Sequence, residues 1–320
     1  MKYLLIDFGA SFIKSIIFDS DKFVFTEYAC HESPFIFKET LQIDSLKNII
    51  SEIMNSYQDY DFVVSCSIKN GIYKNDVYYS WKILDVKNIE INNCLISEIF
   101  KNQETYHVHK DHCNLIQEDR FSVLGSFNGK LFLSNLGDTD CVSRSIKLNE
   151  KEVLINLGTG SQIFFHDNII SFIPSGRALN VFYKFFLDLG KNIFDDMSNI
   201  SLTDLYTSNL SFDLSVFEQA LNFKDYGKII NITEENFTYK NFIQSLLKSY
   251  LNQYVNLLKE FDLQKIYLSG GIALKIKIIE KYLEKELSTE VKYVSEEINS
   301  THIGIANLIV KNEKNTNNWF

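Results

Sequence analysis

Proline is nearly missing from this chain: two occur in 320 residues, beside 13 glycines. With so few chain-breakers, each glycine set at a turn between apolar runs carries weight. Cysteine is sparse as well. The five thiols, Cys30, Cys66, Cys94, Cys113 and Cys141, are odd in number and form no C-x-x-C pair. That argues against a disulfide frame or a thiolate zinc site and predicts reduced thiols in a cytoplasmic protein. Positive charge is in deficit, 32 Lys and Arg against 41 Asp and Glu for a net charge of −9. A nucleic-acid binder would show a basic face, so no nucleic-acid partner is expected. A phosphate ligand is not excluded, because backbone amides, one lysine and a metal can bind it locally. No apolar run approaches the ~18 residues of a membrane helix. Asp7 and Lys14 interrupt any signal-peptide core at the start of the chain, so no membrane association is expected either.

What is present can fill two cores of ordinary size: 45% hydrophobic and 14% aromatic residues over 320 positions. Disorder is expected only in the polar tail Lys311–Asn318. Buried-type strands are predicted at 3–7 and 12–19, with a third at 22–29 after the Asp19-Ser20-Asp21 turn. Helical spacing runs from Ile43 to Tyr57, with Asp44 read as its N-cap, and a strand follows at 61–66. A meander, a helix and a parallel strand open a ribonuclease-H-like unit. The second half repeats the plan: strands at 152–157, 162–166 and 169–173, a helix-rich stretch from Ala178 to Leu263, a strand at 265–268, a helix at 272–288, a strand near 291–294 and a helix near 299–311. The polar stretch Arg144–Lys151 reads as the hinge between the two, giving domains at 1–146 and 147–320.

Three glycine turns punctuate this plan: Asp7-Phe8-Gly9-Ala10-Ser11 with Lys14 beyond it, Leu157-Gly158-Thr159-Gly160-Ser161, and Leu268-Ser269-Gly270-Gly271. In the first, a carboxylate at the end of a buried strand stands beside a glycine that lets amides approach phosphate, with a cation in the next strand. In the second, two glycines and two hydroxyls can form an anion-binding loop. In the third, glycines between strand and helix permit close approach of an adenosine, with the helix start toward the ligand. Any one of them is as readily an ordinary tight turn. Three in this order point to a nucleotide gripped from two sides.

Taken together, these turns resemble the motifs of the FGGY carbohydrate kinases, within the actin–hexokinase–Hsp70 ATPase superfamily. Asp7-Phe8-Gly9-Ala10-Ser11-Phe12-Ile13-Lys14 is similar to the family's first phosphate motif, with Ala10 where a threonine is usual. Gly158-Thr159-Gly160 is similar to the second, and Gly270-Gly271-Ile272-Ala273 to the adenosine motif. A G-D pair before the second phosphate turn is matched by Gly137-Asp138, led in by Asn128-Gly129-Lys130-Leu131-Phe132. Asn156–Gln162 and Pro174-Ser175-Gly176-Arg177 are closest in flavour to the sedoheptulokinase-like branch. The resemblance implies two ribonuclease-H-like α/β domains with a nucleotide cleft between them. It implies an ATP- and Mg²⁺-dependent kinase of a small sugar, a ketose such as a heptulose or pentulose, or a polyol. Asp7 would orient Mg²⁺. Gly9, Ala10, Ser11, Lys14, Gly158, Thr159 and Gly160 would cradle the phosphates, and Gly270 and Gly271 would border the adenosine. Asp138 would be the catalytic base, with Asp140 as the nearby alternative.

The departures bear on the acceptor. The chain is shorter than typical family members, and the shortfall is expected between about Asp85 and Ser122. Trp81-Lys82-Ile83-Leu84-Asp85 keeps the tryptophan of a family substrate motif but not its charged positions. Trp81 is therefore read as substrate-binding, with a core role as the alternative, and Ser65–Gly71 matches a substrate loop only loosely. A second subunit completing the trimmed pocket, as a homodimer, stays open. His107, His109, Asp111 and His112 cluster, but no matching Cys/His pair stands at metal-ligand spacing, so a polar loop is the expectation. Arg177 is equally a phosphate ligand or a surface ion-pair residue. A kinase of a non-sugar metabolite and a non-catalytic ATP-binding regulator remain the alternatives.

Overall fold

The computed structural model describes residues 1–9, 12–34, 43–67, 70–73, 76–78, 104–108, 113–115, 120–127, 129–158, 160–167, 169–171, 176–214 and 228–314. The chain forms two compact units. Unit 1 comprises Met1–His109, Asn114–Lys147 and Glu297–Phe320; unit 2 comprises Lys110–Cys113 and Leu148–Glu296. The change from one unit to the next at Lys147 and Leu148 falls inside the polar stretch read as a hinge. The last helix, expected in the second half, is counted with unit 1.

Unit 1 is built on β1 (Lys2–Phe8), β2 (Phe12–Asp19) and β3 (Val24–Glu32), followed by α1 (Ile43–Ser56) and β4 (Phe62–Ser67). Three short strands come next, β5 (Asn70–Tyr73), β6 (Asp76–Tyr78) and β7 (Glu104–Val108), in which β5 pairs antiparallel with β6 and parallel with β7. After β8 (Cys113–Leu115), β9 (Ser122–Phe127) and β10 (Lys130–Gly137) complete the main sheet, whose order is β3-β2-β1-β4-β10-β9. β1, β4 and β10 run parallel at its centre, and β1 is apolar nearly throughout because both its faces are covered. The alternation of a strand divides it cleanly. Leu4, Ile6 and Phe8 pack with Leu46, Ile50, Ile53 and Met54 of α1. Tyr3 and Leu5 pack on the other face with Ile305, Leu308 and Ile309 of the C-terminal helix, Ser300–Lys314. Asp7 falls on this second face. α1 begins at Ile43, so Asp44 lies inside the first turn rather than capping it; its carboxylate still favours that end of the helix dipole.

β10 leads directly into the short helix α2 (Asp138–Ser143). The C-terminal helix crosses α2 with backbones in contact: a methyl group at Gly304 would stand 1.7 Å from the Cys141 carbonyl oxygen. No residue larger than glycine fits there without separating the two helices.

Unit 2 repeats the order. β11 (Glu152–Leu157), β12 (Ser161–Phe164) and β13 (Ile169–Ser171) form an antiparallel meander. Helices α3 (Gly176–Asp188), α4 (Ile193–Ser198) and α5 (Leu202–Thr207) follow. The stretch read as helical also holds a small hairpin, β14 (Ser211–Asp213) with β15 (Lys228–Ile230), before α6 (Tyr239–Leu258). β16 (Lys265–Ser269) then pairs parallel with β11, and β17 (Glu290–Tyr293) parallel with β16. Between them, the single helix expected at 272–288 is two, α7 (Gly271–Lys275) and α8 (Ile278–Leu287). Ile276, at φ −111° and ψ 81°, breaks the helical course and is itself fully buried. The core gathers Val153, Ile155 and Leu157 against Leu246, Tyr250 and Tyr254 of α6.

Candidate functional site

In unit 1 the first glycine turn is a hairpin. Phe8 pairs with Ile13, and the Gly9 N–H donates to the Phe12 carbonyl at 3.1 Å. A methyl group at Gly9 would stand 2.7 Å from that same oxygen, so this turn requires glycine. Just before it, three side chains form a row across β2, β1 and β4: Lys14 pairs with Asp7, and Asp7 with Cys66. Asp7 is buried. Its Oδ2 lies 3.9 Å from Lys14 Nζ and accepts from Asn299 Nδ2 at 3.0 Å, and its Oδ1 accepts from Cys66 Sγ at 3.6 Å. Burial pushes the Cys66 thiol well up, so it stays protonated and donates. His302 of the C-terminal helix is fully buried behind the row, its Nε2 3.4 Å from the Lys14 carbonyl oxygen. Burial depresses it to about 4, so it is neutral, and its Nδ1 has no hydrogen-bond partner among the described residues.

Asp138 opens α2 at the carboxyl end of β10, where Gly137 pairs with Ser67 of β4. Its Oδ1 accepts from the Thr139 backbone N–H at 2.7 Å and the Thr139 hydroxyl at 3.2 Å. Burial, and after it the negative charge of Asp7, push its carboxyl up to about 6 against those two donors. Asp140, two residues on, is placed differently. It is buried against Arg144, whose Nε donates to its Oδ1 at 3.0 Å. Asp140 is thus committed to an ion pair, while Asp138 presents a half-buried carboxylate whose proton affinity has been raised.

In unit 2 the second glycine turn is a hairpin of the same kind. Leu157 pairs with Ser161, and the Gly158 N–H donates to the Gly160 carbonyl at 3.2 Å. The third turn lies directly against it. Gly270 has φ +93°, and a methyl group there would meet the Leu157 backbone at 2.3 Å. Only glycine combines that dihedral with that approach. Gly271 is open, with no described atom within 4 Å of an added methyl group. Behind the two turns, Ser269 Oγ donates to Asn156 Oδ1 at 3.1 Å, and Asn156 Nδ2 donates to Gln162 Oε1 at 2.7 Å.

The fold therefore brings Asp7, Gly9, Lys14 and Asp138 together in unit 1, and Gly158, Gly160, Gly270 and Gly271 together in unit 2. Ala10, Ser11, Trp81 and Thr159 lie outside the described residues, as do His109, Asp111 and His112. Nothing is described of the Arg177 side chain. Sequence reasoning missed Asn299 and His302, separated from their partners by 292 and 288 positions with no motif to join them. It passed over Asn156, Gln162 and Ser269 as individual residues. Their signal was present as polar side chains at the ends of otherwise apolar strands.

The sheet of each unit, a three-strand meander continued by two parallel strands, recurs in known proteins. No family model matches the chain, and no curated protein does. Solved structures match across nearly its whole length. A xylulose kinase from Lactobacillus acidophilus superposes with a TM-score of 0.59 at 11% identity, covering 99% of this chain and 90% of that one. A kinase from Brucella ovis described as a xyloylose kinase gives 0.60 at 10%, covering 98% and 91%. Plasmodium falciparum glycerol kinase, solved with ADP, gives 0.54 at 11%, covering 98% and 90%. The chain has the actin-like ATPase fold. In this fold each ribonuclease-H-like unit places its glycine hairpin, and the residues just before it, at the carboxyl ends of its parallel strands, where open α/β sheets bind ligands. No helix among the described residues is long and apolar enough to cross a membrane.

Proposed function

We propose that the protein is an ATP-dependent phosphotransferase that phosphorylates a hydroxyl group of a small sugar or polyol, with a ketose as the first candidate. The observation that carries this reading is Asp138. It is a half-buried carboxylate, raised to about 6 by burial and by Asp7, and set apart from the cation that occupies Asp140. A non-catalytic binder has no use for a proton acceptor so tuned, whereas a general base works best with a pKa near the operating pH. Asp138 takes the proton of the acceptor hydroxyl, and the Thr139 donors fix its orientation.

The residues present fit a nucleotide and Mg²⁺. Gly9 and Gly270 stand where a side chain would collide with backbone, and a methyl group at Gly158 would press on the Gly160 carbonyl oxygen at 3.1 Å; the absence of side chains keeps amides accessible to phosphate oxygens. In unit 2 Gly158 and Gly160 hold phosphate, and Gly270 and Gly271 border the adenosine. In unit 1 Lys14 supplies positive charge. The described residues hold no group of three or more His, Cys, Asp or Glu able to cage a metal. That matches Mg²⁺, which is bound through one or two carboxylates, waters and substrate phosphates. Asp7 is the residue to hold it, and the mutual repulsion of Asp7 and Asp138 is the charge that a divalent cation would relieve. The metal, when bound, neutralises negative charge developing on the transferred phosphate. Ala10, Ser11 and Thr159 complete the proposed phosphate set, and Trp81 is the proposed acceptor contact. The enzyme is proposed to act in the cytoplasm.

The test is ADP release from Mg-ATP across a panel of ketoses, aldoses and polyols, with Asp138→Ala alongside. Stimulation by one acceptor, lost by on the order of 10²-fold or more in the variant, is the expected result. Turnover that survives the substitution would remove Asp138 from the reaction. Nucleotide binding without stimulation by any acceptor would favour a regulator.

A further inference from the structure

Unit 2 rebuilds, from uncharged side chains alone, the row in which unit 1 sets a lysine and a carboxylate beside a thiol. In unit 1, Lys14, Asp7 and Cys66 are aligned across β2, β1 and β4. In unit 2, Gln162, Asn156 and Ser269 are aligned across β12, β11 and β16 in the same topology. The central residue stands two positions before the turn glycine in each, Asp7 before Gly9 and Asn156 before Gly158. By position, then, Gln162 is to the second hairpin what Lys14 is to the first.

The hydrogen bonds of the row give that position a polarity. The Ser269 hydroxyl donates to Asn156 Oδ1, which leaves the Asn156 amide nitrogen to donate onward. It donates to Gln162 Oε1, which commits the Gln162 oxygen and leaves its Nε2 to donate in turn. That nitrogen is at the turn: a methyl group built on Gly160 would lie 3.5 Å from it. The relay is also held in place. Ser269 is only 3% exposed, and the backbone contact of Gly270 with Leu157 keeps the ends of β16 and β11 together. A phosphate oxygen only accepts hydrogen bonds, so an amide turned this way suits it and the reverse orientation would repel it.

We infer that Gln162 is a phosphate-binding residue. Its Nε2 donates to a phosphate oxygen of a nucleoside diphosphate or triphosphate at the Gly158–Gly160 turn, and Asn156 and Ser269 are positioning residues that set its polarity. This rests on the nucleotide reading proposed above for the same turn. It adds a specific demand, that the phosphates rather than the nucleoside feel Gln162.

The experiment is calorimetric titration of the full chain with Mg-ADP and, separately, with adenosine, for the wild type, Gln162→Met, Gln162→Glu and Ser269→Ala. The expected result for Gln162→Met is an ADP affinity weakened about tenfold, as for loss of one hydrogen bond to a charged group, with adenosine affinity kept within about twofold. Gln162→Glu, close to isosteric, weakens ADP further by placing a carboxylate at the turn, and it carries the test if the methionine variant does not fold. Ser269→Ala weakens ADP about threefold and spares adenosine, because it frees the relay without removing the donor. Wild-type ADP affinity in both Gln162 variants, or equal weakening of ADP and adenosine, overturns the inference and leaves the nucleotide reading standing. A wild type that binds neither ligand overturns both.

Discussion

The row before the glycine turn is a carboxylate with cationic, amide and thiol neighbours in unit 1, and an all-neutral relay of hydroxyl and amides in unit 2. The backbone is the same in both, a hairpin beside a parallel strand, so the difference lies entirely in what each row must tolerate and do. A buried carboxylate such as Asp7 is stable only when donors surround it. Unit 1 supplies Lys14, Asn299 and Cys66, and recruits the C-terminal helix to do so. The relay in unit 2 is ordered within three side chains, needs no outside element to set its direction, and leaves Gln162 Nε2 to donate. On the proposed reading, charge stands where a metal and a proton transfer would use it, and neutral donors stand where a nucleotide phosphate would be held.

Making the first row resemble the second is the severest way to break this comparison. Asp7→Asn keeps the shape but removes the charge. Acceptor-dependent turnover is expected to fall by on the order of 10²-fold or more, because metal-linked charge stabilisation is worth several kcal/mol. Steady-state ADP release at saturating Mg²⁺ measures it, and persistence of turnover would place the metal elsewhere.

Next in size are the glycines at backbone contacts. Gly304→Ala in unit 1 and Gly270→Ala in unit 2 each force a methyl group into backbone, at 1.7 Å and 2.3 Å. Each is expected to cost about 3 kcal/mol or more. Gly271→Ala, in open space at the start of α7, should be neutral or stabilise by up to about 1 kcal/mol. Denaturant unfolding of the three variants separates them, and equal effects would show that the turns are less tightly determined than the contacts imply.

The pH dependence sharpens the contrast within unit 1. If Asp138 is the base, kcat/KM for the acceptor drops about tenfold per pH unit as its carboxyl, raised first by burial, becomes protonated, with the break below the metal-free value of about 6 once Mg²⁺ offsets the charge of Asp7. Stability moves too. The raised pKa of Asp138 means that the folded state binds its proton more tightly than the unfolded state. Its contribution is therefore favourable at low pH and lost as pH rises through about 6. Asp138→Asn should accordingly stabilise the protein above pH 6, by about 1–2 kcal/mol after allowance for its partial exposure. His302 works in the opposite sense. Its pKa is depressed to about 4, so its contribution is present above the unfolded value of 6.5 and lost as pH falls toward 4. Between pH 6 and 4 the two oppose each other. Removing Asp138 should therefore steepen acid destabilisation in that window, read from unfolding midpoints at pH 7.5 and 5.

The mildest change charges the neutral row. Asn156→Asp places a carboxylate behind the second turn and should weaken Mg-ADP about tenfold without affecting the proton-transfer step. A larger fall in kcat than in nucleotide affinity would show that the unit 2 row does more than hold a ligand.

Much of this was legible in the chain. Apolar runs punctuated by Gly9, Gly158 and Gly270 announce the hairpins and the strand-to-helix turn, and the order of meander, helix and parallel strand announces the sheet. The different surroundings of Asp138 and Asp140 were not legible, because both follow Gly137 within three residues. The resemblance favours Asp138, and the structure adds a difference in partners: Arg144, one helical turn beyond Asp140, pairs with Asp140. Neither was the break at Ile276, where burial of one apolar side chain overrides an otherwise continuous helical pattern. The hairpin of β14 and β15 was hidden for a related reason, since strands of three residues carry too little periodicity to read.

What the sequence by itself determined are the local matters: where strands run, which turns demand glycine, which carboxylates stand at strand ends, and that the two halves share a plan. These follow from side-chain alternation and backbone sterics, which act over a few residues. Only the tertiary structure decided which groups share a row. It set Asn299 on Asp7 across 292 positions, His302 behind Lys14, Gly304 against Cys141, and Ser269 on Asn156 across 113. Those pairings arise because the C-terminal helix must cover the second face of β1 and because β16 must lie beside β11. They are consequences of burying whole elements, which no local pattern encodes.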